Sequence, residues 1–323
     1  MDLHKVFLNQ PEIAVGMDAS VRAIVAMAAI FVVAQAGAIL MISSVLTPED
    51  QIFEDPNDPL IPIYYIAAMI GFTFLVLYII KKKREDIVRV IFLFAVGFTI
   101  FFVLLSFLAA LGLDMIALVA SVALTGLITY YLVKRPEWYV IDMAGILVSI
   151  GVVGLFGISL QILPVMVLLT VLAIYDAVSV YGTKHMVALA DGVTKMRLPI
   201  LIVIPKKRGY SYIEQKPLKE QIDSGEEREA MFMGLGDIII PGILVASAFN
   251  FLPDDEILGG LDANLLVAIG ALVGCLVGFA ILMRFVLGGN PQAGLPLLNG
   301  GAIVGYLVTY LAAFGDLSFG MAL

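Results

Sequence analysis

The chain of 323 residues is 61% hydrophobic and only 14% charged, with a formal net charge of −8. Water-soluble domains carry about 25% charged residues, so a single soluble core is excluded. Apolar runs of about 20 residues recur along the whole length, each enough to cross a hydrocarbon slab about 30 Å thick, so the class is an all-α polytopic membrane protein.

Residues 1–18 read as a polar cytoplasmic tail of mixed charge. The apolar run after them is too long for a signal-peptide core, so no cleavable signal is read. Nine spans follow, at 19–46, 60–80, 87–112, 114–133, 139–158, 160–188, 229–251, 263–288 and 293–314. Spans one to six therefore fill 19–188, a soluble loop takes 189–228, and spans seven to nine lie in 229–323. Short joints between spans three and four, and between five and six, imply antiparallel helical hairpins. Basic residues near span ends set orientation. With the N-terminus in the cytoplasm, all 19 Lys and Arg residues fall on that side, nine of them between Lys184 and Arg228. The opposite loops carry Glu49, Asp50, Glu54, Asp55 and Asp58, then Asp254, Asp255, Glu256 and Asp262. The C-terminus is then outside.

The loop contains Leu198-Pro199-Ile200-Leu201-Ile202-Val203-Ile204-Pro205, a β-branched run bracketed by prolines, and then Tyr210-Ser211-Tyr212-Ile213. Both have strand character, and a β-hairpin at the membrane surface is expected. A loop dipping into the headgroup region is the alternative.

Asp176 and Asp237 stand inside apolar spans, where a carboxylate near the bilayer centre costs roughly 2.5–3.5 kcal/mol or more. Counted from the outer face at helical rise, the two lie at matching depths of about 24 and 22 Å. No intramembrane Lys or Arg is there to pair with them. Two facing carboxylates share one proton and titrate jointly. The ionised one can activate a water, and the protonated one can polarise a peptide carbonyl. That chemistry needs no metal and no cofactor. A packing or ion-pair role is the alternative for either acid alone. Asp142, four residues into span five, is expected to reach the interface and to be structural.

Gly234 and Gly236 flank Leu235 just before Asp237, where glycines permit close backbone approach; in a span such a pair also serves helix packing. Pro241 should loosen this helix. The entrance to span nine runs Gly288-Gly289-Asn290-Pro291-Gln292-Ala293-Gly294-Leu295-Pro296-Leu297-Leu298-Asn299-Gly300-Gly301. A short irregular stretch around 295–298 with free amides is expected there, against the alternative of a proline at a helix N-terminus. Cys275, the lone cysteine, is expected to pack as a small apolar residue. His4 and His185 are too few for a metal site, and no HExxH motif occurs.

Tyr175-Asp176 in span six, Gly234-Leu235-Gly236-Asp237 in span seven and Pro296-Leu297-Leu298 at span nine together resemble the presenilin and signal peptide peptidase family. That family carries Tyr-Asp, Gly-x-Gly-Asp and Pro-Ala-Leu in those places, and the resemblance is to a prokaryotic presenilin homologue. It implies intramembrane aspartyl proteolysis with Asp176 and Asp237 catalytic. It further implies that Tyr175, Gly234, Leu235, Gly236, Pro296, Leu297 and Leu298 support the site or touch substrate. The Leu198–Ile204 run is similar to the strand before the seventh span of presenilins, which adds Leu201 and Val203. Leu297 stands where the family has alanine, a change that narrows the groove or shifts preference.

The implied partners are transmembrane helical proteins, peptides or signal-peptide remnants as substrates, with membrane lipids around them and no nucleic acid. Accessory subunits are not evident in the sequence, and a homo-oligomer is left open. A multi-pass plasma membrane protein is the expected location. The competing reading is a proton-coupled transporter or cation leak channel built on the same carboxylates, which internal repeats would favour; none is found.

Overall fold

The computed structural model describes residues 11–82, 84–112, 114–183, 200–207, 209–214, 229–258, 260–288 and 292–321. Its long helices are α1 (Pro11–Ser44), α2 (Ile61–Lys81), α3 (Glu85–Ala109), α4 (Asp114–Lys134), α5 (Trp138–Ser159), α6 (Ile162–Val178), α7 (Leu235–Phe251), α8 (Ala263–Leu287) and α9 (Gly294–Phe314). Among the described residues, eight are long and apolar enough to cross a membrane, and α7 is apolar but only 17 residues long. This is the architecture of a polytopic helical membrane protein.

Local chemistry fixes the helix ends. Lys81 and Arg284 sit in the last turns of α2 and α8, where a cation meets the negative end of the helix dipole. Gly315, at φ 69°, closes α9 in the left-handed conformation that glycine adopts without strain.

The expected seventh span at 229–251 is shorter than its apolar run. Residues Ala230–Gly234 form a strand, β2, and the helix begins only at Leu235. Strand β2 pairs antiparallel with β1 (Leu201–Pro205), in the register Leu201↔Gly234, Val203↔Phe232 and Pro205↔Ala230. The expected pairing of β1 with Tyr210–Ile213 is therefore corrected, because that stretch is not a strand. Its polar groups are drawn elsewhere: Ser211 Oγ and the Tyr212 N–H both donate to Glu137, at 2.8 and 3.1 Å. Leu198 and Pro199 lie outside the described residues, as do positions 184–188 of the expected sixth span. A small second pair, β3 (Glu256–Leu258) with β4 (Leu261–Asp262), leads into α8.

Helix α7 is the hub, packed on α5, α8, α1, α9 and α6. The expected hairpin of α5 and α6 does not form, since α6 packs on α9, α7 and α2 instead. Lipid tails are as apolar as leucine, so these helices are held by close packing and polar cross-ties rather than by hydrophobic burial. Buried Asn299 of α9 donates to the Leu169 carbonyl of α6 at 2.9 Å. Ser247 of α7 donates to the Leu160 carbonyl, at the α5–α6 joint, at 2.8 Å. On α8 and α9, a methyl added to Gly274, Gly278, Gly301 or Gly305 would overlap backbone atoms of the facing helix. Helix α2 stands at the periphery, touching α3 and α6.

Candidate active site

Asp176 lies near the C-terminal end of α6 and is 6% exposed. The first N–H groups of any helix have no acceptor within that helix. At α9 one of these, from Leu295, donates to Asp176 Oδ2 at 3.0 Å, and the Gly294 N–H donates to the same carboxylate. Asp176 is thus the cap of a helix on another part of the chain, its carboxylate set at the positive end of the dipole.

Asp237 is the third residue of α7, half-buried, rather than deep within a span as expected. Its carboxylate reaches back to accept the N–H of Gly234, the residue that caps α7. This is one half of a capping box, with aspartate at the N3 position. Pro241 follows four residues later and supplies no N–H, so the Asp237 carbonyl lacks its usual helical partner.

Gly294 brings the two acids together. A Cβ placed on it would sit 3.4 Å from Asp237 Oδ1, while its own N–H goes to Asp176. The carboxylates are within electrostatic reach of each other. Cys275 of α8 is fully buried, as expected, and lies within electrostatic reach of Asp237.

The remaining expected residues divide. Tyr175 is 52% exposed on α6, beside Asp176. Gly236 is exposed, and a Cβ there would meet nothing within 4 Å, so it faces open space. Leu235 and Leu298 are buried, and Pro296 and Leu297 are half-buried. The irregular stretch expected at 295–298 is the first turn of α9. Pro296 fits there because that position needs no N–H donor. Leu297 presses its carbonyl against Gly278 of α8.

The Asp142 side chain does not open to the surface. It is 6% exposed, and its Oδ1 accepts the Val203 N–H at 2.8 Å. The sequence reading left this contact out, along with the hydrogen bond from Tyr181, in the turn after α6, to Gln292 just before α9. The only local signal for the Asp142 contact is an acid placed one turn inside an apolar helix.

The register also shows which backbone groups are open. Leu235 donates to the Ile200 carbonyl at 3.0 Å and Lys206 to the Glu229 carbonyl at 2.8 Å. By alternation, Ile202 and Ile204 bond across to β2, whereas Leu201, Val203 and Pro205 turn their groups outward. On β2, Ala230, Phe232 and Gly234 turn away from β1. The outer edge of β1 is compromised, because Val203's N–H is taken by Asp142 and Pro205 has none. The outer edge of β2 runs directly into Gly234 and Asp237.

A family model described as signal-peptide peptidase, presenilin aspartyl protease matches residues 28–315. Two solved structures of a presenilin family intramembrane aspartate protease are similar to this chain. The C222 form is 35% identical, with a TM-score of 0.66, and covers 90% of this chain and 99% of its own. The P2 form is 34% identical, with a TM-score of 0.60, and covers 89% of this chain and 97% of its own. Signal peptide peptidase-like 2A of Mus musculus is 28% identical over 159 residues. That match takes in 46% of this chain but only 28% of the mouse protein's length.

Proposed function

The chain belongs to the signal-peptide peptidase, presenilin aspartyl protease family, and from that premise we propose that it is an intramembrane aspartyl endopeptidase of the Gly-x-Gly-Asp type. Asp176 and Asp237 form the catalytic dyad. The observation that carries the reading is that both carboxylates converge on two consecutive residues, Gly294 and Leu295.

The dyad works with one shared proton. The ionised carboxylate takes a proton from water as that water attacks the scissile carbonyl carbon, and the protonated carboxyl donates a hydrogen bond to the carbonyl oxygen. The proton then passes to the leaving amine nitrogen as the C–N bond breaks. The N–H groups at the start of α9 hold one carboxylate in place, and Gly234 holds the other.

Substrates are transmembrane helices. A helical peptide bond must unwind before it can be attacked, and freed backbone groups in lipid cost several kcal/mol unless the enzyme satisfies them. The outer edge of β2 offers the groups of Phe232 and Ala230 to an extended segment, which would join as a third strand. The outer edge of β1 is less open to such pairing, since Asp142 takes the Val203 N–H and Pro205 has none. The N-terminus-inside orientation expected from the basic residues matches that of presenilins, and that resemblance implies substrates that run N-terminus outward, here in the plasma membrane.

The test is purified protein in detergent with a transmembrane peptide, with and without an aspartyl-protease transition-state analogue. Cleavage blocked by the analogue supports the reading. Ion flux in vesicles without any cleavage would replace it with a channel.

A further inference from the structure

We propose that Asp142 and Glu137, at the start of α5, are positioning residues that set where the β1–β2 sheet delivers substrate to Asp237; the proposal rests on the protease reading above. A buried carboxylate is costly unless hydrogen-bonded, and Asp142 spends its Oδ1 on one backbone N–H, that of Val203, at 2.8 Å. Glu137, the N-cap of α5, accepts Ser211 Oγ through Oε1 at 2.8 Å and the Tyr212 N–H through Oε2 at 3.1 Å. One helix start therefore grips the chain on both sides of the turn that follows β1.

An independent contact lies one turn further along α5. A Cβ on Gly145 would come within 2.9 Å of Ile202 Cδ1 and 3.2 Å of Leu235 Cδ1. The missing side chain leaves a seat for β1 and for the first residue of α7 together. Val203 is opposite Phe232 in the register, Phe232 is two residues from Gly234, and Gly234 holds Asp237. Asp142 thus locates β1, and through the register of the sheet β2, whose free edge would carry the substrate, without touching the reacting atoms. A contact that served folding alone would have no influence on which peptide bond is cut.

The experiment reads product masses as well as rates. With a single-site transmembrane peptide, D142A should lower kcat by up to about 100-fold, the cost of misplacing the reacting groups by about 1 Å. It should also spread cleavage over neighbouring bonds. D142N keeps an oxygen that accepts the Val203 N–H and should restore the single site. V203P removes the same N–H from the other side while sparing the Ile202 and Ile204 bonds to β2, and should scatter cleavage as D142A does. The double variant should be no worse than either single one. E137A should also scatter products, but less. D142A and V203P with wild-type product masses and rates would overturn the proposal.

A second arm does not need activity. Hydrogen exchange at 201–205 should be faster in D142A than in wild type or D142N, and equal exchange in all three also overturns the proposal. Wild-type protein that cleaves nothing sinks the protease reading, while the exchange arm still decides whether Asp142 holds β1. If D142A does not fold, D142N and V203P carry both arms.

Discussion

The backbone N–H of Leu295 donates to the carboxylate of Asp176 at 3.0 Å, tying the end of α6 to the start of α9. The neighbouring Gly294 lies against Asp237. A single helix start therefore registers both acids, and small displacements of α9 reach the two together.

Replacing either acid should remove catalysis without removing the fold. D176N and D237N cannot cycle a proton, and each should lower the cleavage rate by at least about 10²-fold, the lower end for general acid–base catalysis. D176N retains an acceptor for Leu295, so its melting temperature should stay closer to wild type than that of D176A. Full cleavage in both Asn variants would exclude the dyad, and circular dichroism checks the fold.

Activity should rise and then fall with pH, since the pair works only while it holds one proton. Loss of that proton ends catalysis on the alkaline side, and gain of a second ends it on the acid side. The two limits belong to the coupled pair rather than to either residue. A rate unchanged from acid to neutral pH would contradict this. The D237N variant should lack any such bell in its residual rate.

Glycines at the site separate into two kinds, and one pair of substitutions tells them apart. G278A puts a methyl into the Leu297 backbone, and overpacking of this sort costs about 1–3 kcal/mol. Its melting temperature should fall, with cleavage impaired as a consequence. G236A meets open space and should keep the wild-type melting temperature. If an unwound substrate lies beside Asp237, G236A should nonetheless slow cleavage. Unchanged kinetics in G236A would move the substrate path elsewhere.

The free edge of β2 can be tested on substrates of different helix strength. F232P removes an N–H that faces away from β1, at about 0.5–1.5 kcal/mol for one hydrogen bond, or up to about tenfold in rate. The loss should be larger on a stable helical peptide than on one weakened by Gly or Pro near the scissile bond. P296A should show the same bias if the first turn of α9 helps to hold the unwound segment. Equal losses on both peptides would count against strand addition.

The helical membrane class was legible in the sequence because its signal, long apolar runs, is local, and both acids stood out as charge where lipid forbids it. The partner of β1 was hidden because it lies some thirty residues away, and Tyr210–Ile213 offered a nearer strand-like pattern. Only the folded chain shows Ser211 and Tyr212 committed to Glu137. The burial of Asp142 was hidden for a similar reason, since its partner is 61 positions distant and no periodicity connects them. The glycines and proline around 294–296 read as broken helix because composition does not separate a first turn from a loop. The first turn tolerates both residues, because its N–H groups find their acceptors elsewhere.

The glycine faces of α8 and α9 bring the two backbones into direct contact, with no side chain between them. Tight contact of this kind favours α8 and α9 acting as one unit, so the surroundings of Asp176 and Asp237 reduce to three packed parts: α6, the sheet with α7, and the α8–α9 pair. Fewer moving parts mean fewer ways to misalign the acids. They also mean that any motion separating Asp176 from Asp237 must shift α6 or α7 against α8 and α9.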